Sequence, residues 1–434
     1  MKKLSYLVIL IFLAGCGSSK KGLQEQLIPQ NVSNFNIQML KQEIRENPKD
    51  AEAHLKLGLI YREMDSLNTA LTQIDTALQL NPNYSLARVE KGDLLIRTGH
   101  PHDGYAEWFR MLQTEEVEEF THEIARRLGQ PNQIIQLTNS NNNNAYGIYS
   151  YDGERIAFQS DRSGNWDIFL MDPDGKHQIQ ITTNPAHDEM PVFAPNGKVI
   201  AFTSTRDDKE HKERVDMNRN IYLMDIAGTV ASRIVETGVD DWYPAFTNKN
   251  DELLLVSEKD DPREVSFEQR LSDIYMKDLS KGTLIRITQN ESDDSAPASS
   301  PDGKWIVFIS NRTGNFQIFR MDKLGKVFEQ VVEFDGQCGS PHYSRDGKRI
   351  VFSADRNDGN YEIYTISVFG DKLTQFTNNS AQDGYPSFSP DGKRILFHSN
   401  RSGKYQLYAI ELEILSPRED VIQLLEDKIT QSQM

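Results

Sequence analysis

Cysteine is almost absent: Cys16 and Cys338 are the only two in 434 residues, which excludes a multi-disulfide framework. Basic residues are also short, with 48 Lys and Arg against 64 Asp and Glu and a net charge of −16. No stretch gathers Lys and Arg into a stripe, so a nucleic-acid partner is not expected. The charge runs that exist, 207–214 and 258–264, mix both signs and read as solvated loops. The longest apolar run, Leu4–Leu13, is too short to span a bilayer as a mature helix. No G-x-S-x-G nucleophile elbow occurs, which excludes a serine peptidase built on that motif.

What is present begins with that short run. Lys2 and Lys3 supply a positive start, Leu4–Leu13 an apolar core, and "LAGC" ends it at Cys16. These residues resemble the signal and lipobox of bacterial lipoproteins. The resemblance implies a signal peptide over 1–15, lipid on Cys16 and a flexible tether over 16–33. An ordinary secretory signal with a cysteine near its cleavage site is the alternative. Gly17, in place of an aspartate after the cysteine, implies an outer-membrane home facing the periplasm.

From 34 to 128 apolar residues recur at three and four, the helical period. Within "AEAHLKLGLIYREMDSLNTALTQIDTALQLNPN", Ala51–Asn83, the residues Leu57, Gly58, Tyr61, Ala70, Ile74, Ala77 and Pro82 resemble a tetratricopeptide repeat. Gly58 and Ala70 let two antiparallel helices approach, and Pro82 ends the second. A looser copy, Tyr84–Gln113, keeps Gly92 and places Gly104 and Trp108 at the Ala70 and Ile74 positions. Leu55, Leu59, Val89 and Ile96 are expected to face the groove of this array, unless flanking helices cover them. "GQPN", Gly129–Asn132, closes the helical region.

Beyond it the period becomes two. Six turns align: Tyr151-Asp152-Gly153, Pro195-Asn196-Gly197, Asn248-Lys249-Asn250, Pro301-Asp302-Gly303, Arg345-Asp346-Gly347 and Pro390-Asp391-Gly392. Each precedes a buried-strand phrase and then a second one, such as "RILFHSN" and "QLYAIE". Four short strands every forty-odd residues mark a β-propeller blade. The repeat resembles the WD40-like propeller repeats of the TolB family over 133–413; the third copy has lost the Pro-Asp-Gly. The sixth copy lacks its fourth strand, and "QIIQLTN", Gln133–Asn139, is a fourth strand without a blade. Pairing the two predicts a six-bladed ring closed by an N-terminal strand. The fold class expected is therefore α plus all-β, with a helical tail over 414–434 packed on the ring or frayed.

Three residues before the inner-strand proline stand Asp188, Asp241, Asp294, Cys338 and Asp383, with Asn144 in the first copy. The ring would bring them around one channel mouth, beside Trp242, Tyr243 and Tyr385. Such aspartates either accept hydrogen bonds from loop amides or together meet a cation or a basic peptide. Extra residues of copies two and three, within 207–219 and 258–272, fall on the same rim. Arg162, Arg312 and Arg401 are expected to join blade to blade. Of nine histidines, His187, His342 and His398 lie in blades at non-equivalent positions, which does not make a ligand set. No catalytic residue, metal or cofactor is therefore expected. The TolB resemblance implies a non-catalytic scaffold that binds other envelope proteins, with the membrane reached through the lipid. Its TolB counterpart has an α/β domain where this chain has helical repeats. Anchor, repeats and propeller in this order also resemble an accessory lipoprotein of type IX secretion, without its peptidoglycan-binding domain. The alternative is a propeller that binds or cleaves oligosaccharide with a His-held divalent metal.

Overall fold

The computed structural model describes residues 30–114, 118–207, 218–261, 263 and 270–433. The signal peptide, Cys16 and most of the expected tether lie outside the described residues, as do most of the extra residues in copies two and three. The described residues divide into two compact units, one up to residue 131 together with 415–433 and the other from 132 to 414.

The first unit is helical: α1 (Gln30–Glu46), α2 (Ala51–Glu63), α3 (Leu67–Leu80), α4 (Ser85–Arg97), α5 (Pro101–Thr114), α6 (Glu118–Arg127) and α7 (Arg418–Gln431). The first helix starts at Gln30, inside the segment expected to be tether. Asp50 caps α2 by accepting the Ala53 amide at 3.0 Å. Helices α2 and α3 pair closely, as do α4 and α5. At Gly92 a Cβ would collide with the Trp108 indole, whose Nε1 donates to the Val89 carbonyl at 2.9 Å. Glycine is therefore required there by close approach of two helices.

Two corrections follow from this core. Leu55, Leu59 and Val89 are buried and Ile96 packs against buried neighbours, so the four do not line an open groove. The C-terminal helix, expected on the ring or frayed, packs into the helical unit: Val421, Leu424 and Leu425 of α7 share one core with Trp108, Met111, Ile124 and Leu128. Two helical hairpins bury too little surface alone, and α6 with α7 supplies the rest.

The second unit is six four-stranded antiparallel sheets. Five run in sequence order. The sixth is ordered Asn132–Gln136, Gln406–Leu415, Arg394–Ser399, Asp383–Phe388, so the strand preceding blade 1 completes blade 6 as expected. Closure covers the long strand Gln406–Leu415 with the five-residue strand Asn132–Gln136, so blade 6 ends in a short edge as the other blades do. The second strand of every blade is buried on both faces, with Phe158, Phe202, Phe308, Phe352 and Phe397 inaccessible to solvent. Neighbouring blades meet at a repeated joint. Gly175, Gly228, Gly325 and Gly370, all at positive φ in the hairpin between third and fourth strands, leave no room for a Cβ against the carbonyls of Leu137, Ile181, Ile287 and Val331 of the preceding blade. Blade 3 differs: Gly282 has open space around it.

Candidate functional site

The inner strands are Asn144–Tyr149, Asp188–Phe193, Asp241–Phe246, Asp294–Ser299, Cys338–Tyr343 and Asp383–Phe388. Each shifts register against its neighbour after the second residue. Each third residue has positive φ: Tyr146, Met190, Tyr243, Ala296, Ser340 and Tyr385 lie between 45° and 53°. This is a β-bulge repeated six times. In five blades the next residue is proline, which has no N–H to leave unpaired at a bulge. The recurring D-x-x-P phrase was the signal for it in the sequence, and periodicity alone does not reveal it.

The bulges bring three tyrosines from blades 1, 3 and 6 together across the channel. Tyr146 donates its hydroxyl to the Tyr385 hydroxyl at 2.6 Å, and Tyr243 donates to the same oxygen. The Tyr146 and Tyr385 rings are 3.8 Å apart between centroids, and Tyr243 stacks on Tyr385 at 6.0 Å. Burial holds Tyr243 and Tyr385 well above the usual phenol range. His398 packs on Tyr146 and Tyr385, and burial lowers its pKa to about 3, so this imidazole is neutral. His342 is also held down by burial, and its buried Nδ1 has no hydrogen-bond partner among the described residues. The three tyrosines and His342 line an open cavity with Pro191, Pro244 and Pro297. At the other rim Tyr151 crosses the channel to Thr247, 3.5 Å from its carbonyl, with the Arg345 guanidinium 4.9 Å over its ring.

The aspartates that sequence placed at the mouth do not face the channel. Asp188, Asp241, Asp294 and Asp383 are all 0 % exposed. Arg206 meets Asp188 at 2.7 Å, Arg312 meets Asp294 at 3.0 Å and Arg401 meets Asp383 at 2.7 Å. Asn144 accepts from Arg162 at 2.6 Å in the same place. Each arginine is also stacked over its own blade's rings, as Arg206 is over Phe202 and Tyr222 at 5.2 and 4.6 Å. The arginines therefore tie the strands of one blade together rather than joining blades. For Asp188, Asp294 and Asp383 the cation they were expected to meet is already supplied within the chain.

Blade 3 again departs. Its counterpart of these arginines, Lys259, pairs with Asp260 at 2.8 Å and lies over Tyr275, leaving Asp241 to Thr237. Burial, with Asp240 adding to it, raises the Asp241 pKa to about 6. Blade 5 has Cys338 instead, whose thiol is pushed up by burial, and Arg356 turns to the Tyr364 hydroxyl at 3.3 Å. Trp242 is half-buried beneath Arg219, which Asp240 holds at 2.9 Å. Among the described residues no three His, Cys, Asp or Glu side chains converge as a metal ligand set.

The comparisons bear on the fold that carries this site. The TolB beta propeller domain family matches residues 324–419. An uncharacterized Agrobacterium fabrum protein is 39% identical over 80 residues, 18% of this chain and 27% of that protein. A TolB homolog from Chlorobium luteolum is 29% identical over 177 residues, 41% of this chain and 36% of the homolog. The chain thus spans about a third or less of these relatives' lengths. A solved Agrobacterium tumefaciens structure assigned to TolB superposes with TM-score 0.51 at 18% identity, covering 65% of this chain and 97% of that one; that likeness concerns the fold. Residues 132–414 form a TolB-like six-bladed β-propeller.

Proposed function

We propose that this protein is a non-catalytic, lipid-anchored envelope protein that holds other envelope proteins at the aromatic end of its propeller. The observation that carries the reading is the cluster of Tyr146, Tyr243 and Tyr385 at the bulged inner strands of a TolB-like ring, with Trp242 half-buried next to Tyr243 in the chain. Half-buried aromatic rings around a cavity are the features that dominate protein recognition. The nearby carboxylates are engaged internally, which favours aromatic anchoring over capture of a cation or a basic peptide. The "LAGC" motif supports attachment through Cys16 and an outer-membrane location facing the periplasm. The paired helices, by their tetratricopeptide-like spacing, offer a second platform.

The test is in-cell crosslinking of the tagged, lipidated chain followed by identification of captured proteins. Wild type is run beside Trp242→Ala and Tyr385→Phe, with folding of all three checked by thermal melting. Envelope proteins captured by the wild type and lost in a folded variant are the expected result. Equal capture by both variants would remove the channel end from the reading, and no reproducible capture would remove the scaffold itself. Incorporation of labelled fatty acid, lost in Cys16→Ser, tests the anchor separately.

A further inference from the structure

Where one blade meets the next, the start of a third strand lies against the start of the following inner strand. Asp383 of blade 6, for example, donates its N–H to the Tyr361 carbonyl of blade 5 at 2.9 Å. Three such joints bring two acids together: Asp167 with Asp188, Asp273 with Asp294, and Glu362 with Asp383. At the other three the third strand opens on a neutral amide, Asn220, Gln317 or Gln406.

Two of the acidic joints are satisfied. Asp273 has Arg286 and Thr288, and Asp294 has Arg312 and Asn290. Asp188 has Arg206 and Ser204, and Asp167 accepts from the Gln180 amide and the Thr182 hydroxyl at 3.0 Å each. Every carboxylate oxygen there accepts a hydrogen bond. The joint between blades 5 and 6 differs. Glu362 is 5 % exposed and Asp383 0 %, and Arg401, 2.7 Å from Asp383, is the guanidinium that faces both. The Asn379 side-chain nitrogen lies between them, 2.9 Å from Asp383 Oδ2 and 3.5 Å from Glu362 Oε2. Asp383 Oδ1 is buried and has no hydrogen-bond partner among the described residues.

A buried acceptor without a donor is costly, and two buried carboxylates beside one cation are costlier. One proton on Glu362 mends both defects, because it cancels the surplus charge and supplies a donor. Burial, and after it the Asp383 carboxylate, push the Glu362 carboxyl up to about 8. The Tyr364 hydroxyl on the same strand also faces it, held up by burial and paired with Arg356 at 3.3 Å. Asn360, Thr377 and Asn379 complete the surroundings and do not titrate. We propose that Glu362 and Asp383 share one proton across this joint in neutral medium, and that its loss in alkaline medium loosens the strand carrying Tyr385. Hydroxide takes the proton, the carboxylates repel, and the segment Asp383-Gly384-Tyr385 moves. The tyrosine cluster then loses the hydroxyl on which Tyr146 and Tyr243 converge. The channel end is thereby switched by pH, a consequence that rests on its proposed role in holding partners.

The test is infrared difference spectroscopy of the purified lipidated chain in detergent between pH 7 and pH 9, beside hydrogen exchange by mass spectrometry. Wild type should lose a protonated-carboxyl band that Glu362→Gln never shows. Glu258, raised to about 7 by burial, gives a separate band that Glu258→Gln removes. Exchange at residues 383–388, corrected for the intrinsic rate, should rise about tenfold in wild type, as linkage to one proton near pH 8 requires. It should stay level in Glu362→Gln, and at residues 294–299 in both proteins. Glutamine stands at this position in blades 4 and 6, so the variant should fold, and melting checks it. If it does not, the wild-type contrast between 383–388 and 294–299 still decides. Absence of the band, or an equal rise of exchange in both proteins or both segments, overturns the proposal. Crosslinked capture of envelope proteins should fall from pH 7 to pH 9 in wild type and hold in Glu362→Gln. No capture at either pH, with band and exchange as expected, would sink the partner reading and leave the switch standing.

Discussion

Blade 3 and blade 4 are neighbours built from the same repeat, yet they solve the same problem differently. In blade 4 the buried Asp294 is neutralised by Arg312, which lies over Phe308 and Phe319, and Gly325 seats against Ile287. In blade 3 the buried Asp241 is held by the Thr237 and Ser257 hydroxyls beside Asp240, Lys259 looks elsewhere, and a Cβ at Gly282 would meet nothing. The repeat is thus a set of coupled choices. Where the arginine is lost, the carboxylate stays buried at a cost and the blade relies on its apolar strands, with Leu253, Leu254, Leu255 and Val256 all inaccessible.

The difference should be largest when the ion pair is cut. Asp294→Ala leaves the Arg312 guanidinium uncompensated and should destabilise the propeller by about 3 kcal/mol in urea unfolding. A loss below 1 kcal/mol would mean that blade 4 does not depend on the pair. Next, Gly325→Ala must displace the Ile287 carbonyl and hold alanine at positive φ, costing about 2 to 3 kcal/mol. Gly282→Ala meets only the backbone strain, about 1 kcal/mol, so equal effects at the two glycines would dissolve the contrast.

Asp241→Asn should act with the opposite sign. The folded-state pKa of about 6 lies above the ordinary 3.8, so the folded chain holds this proton more tightly than the unfolded one. Stability contributed by the protonated acid is full below pH 4 and is lost as pH rises through 6. Asparagine removes that loss, and the variant should be more stable than wild type by about 2 kcal/mol at pH 7. The gain should vanish by pH 4. Unfolding curves at both values check the sign. Smallest of all, Lys259→Arg offers Asp241 the missing fork and should stabilise by about 1 kcal/mol while lowering the Asp241 pKa, measurable by NMR titration.

The ring and its closure were legible because both rest on strand periodicity and on one phrase present without its blade, Gln133–Asn139. The helical hairpins were legible through Gly58, Ala70 and Pro82. The site was not. Sequence placed Asp188, Asp294 and Asp383 correctly on one rim, but whether a carboxylate faces a channel or its own blade depends on a partner eighteen residues away, such as Arg312 for Asp294. The S/N-R-x-G arginines were noticed separately and assigned to neighbouring blades. The tyrosine cluster was half seen: Tyr243 and Tyr385 were named, whereas Tyr146 was not, since its copy has Gly147 where the others have proline. The place of α7 in the helical core was invisible because its partners, Trp108 and Ile124, lie some three hundred residues earlier.

One consequence of the closing strand concerns synthesis. Residues 406–415 complete the propeller with a strand made about 270 residues earlier, and α7 then completes the helical core. During translation both units therefore wait on the same stretch, Gln406–Leu415 followed by Arg418–Gln431, holding an open sheet edge and an uncovered helical face until it emerges. A chain stopped before it would carry both defects together, and proteases would meet it as one unfinished molecule instead of one finished unit and one damaged one.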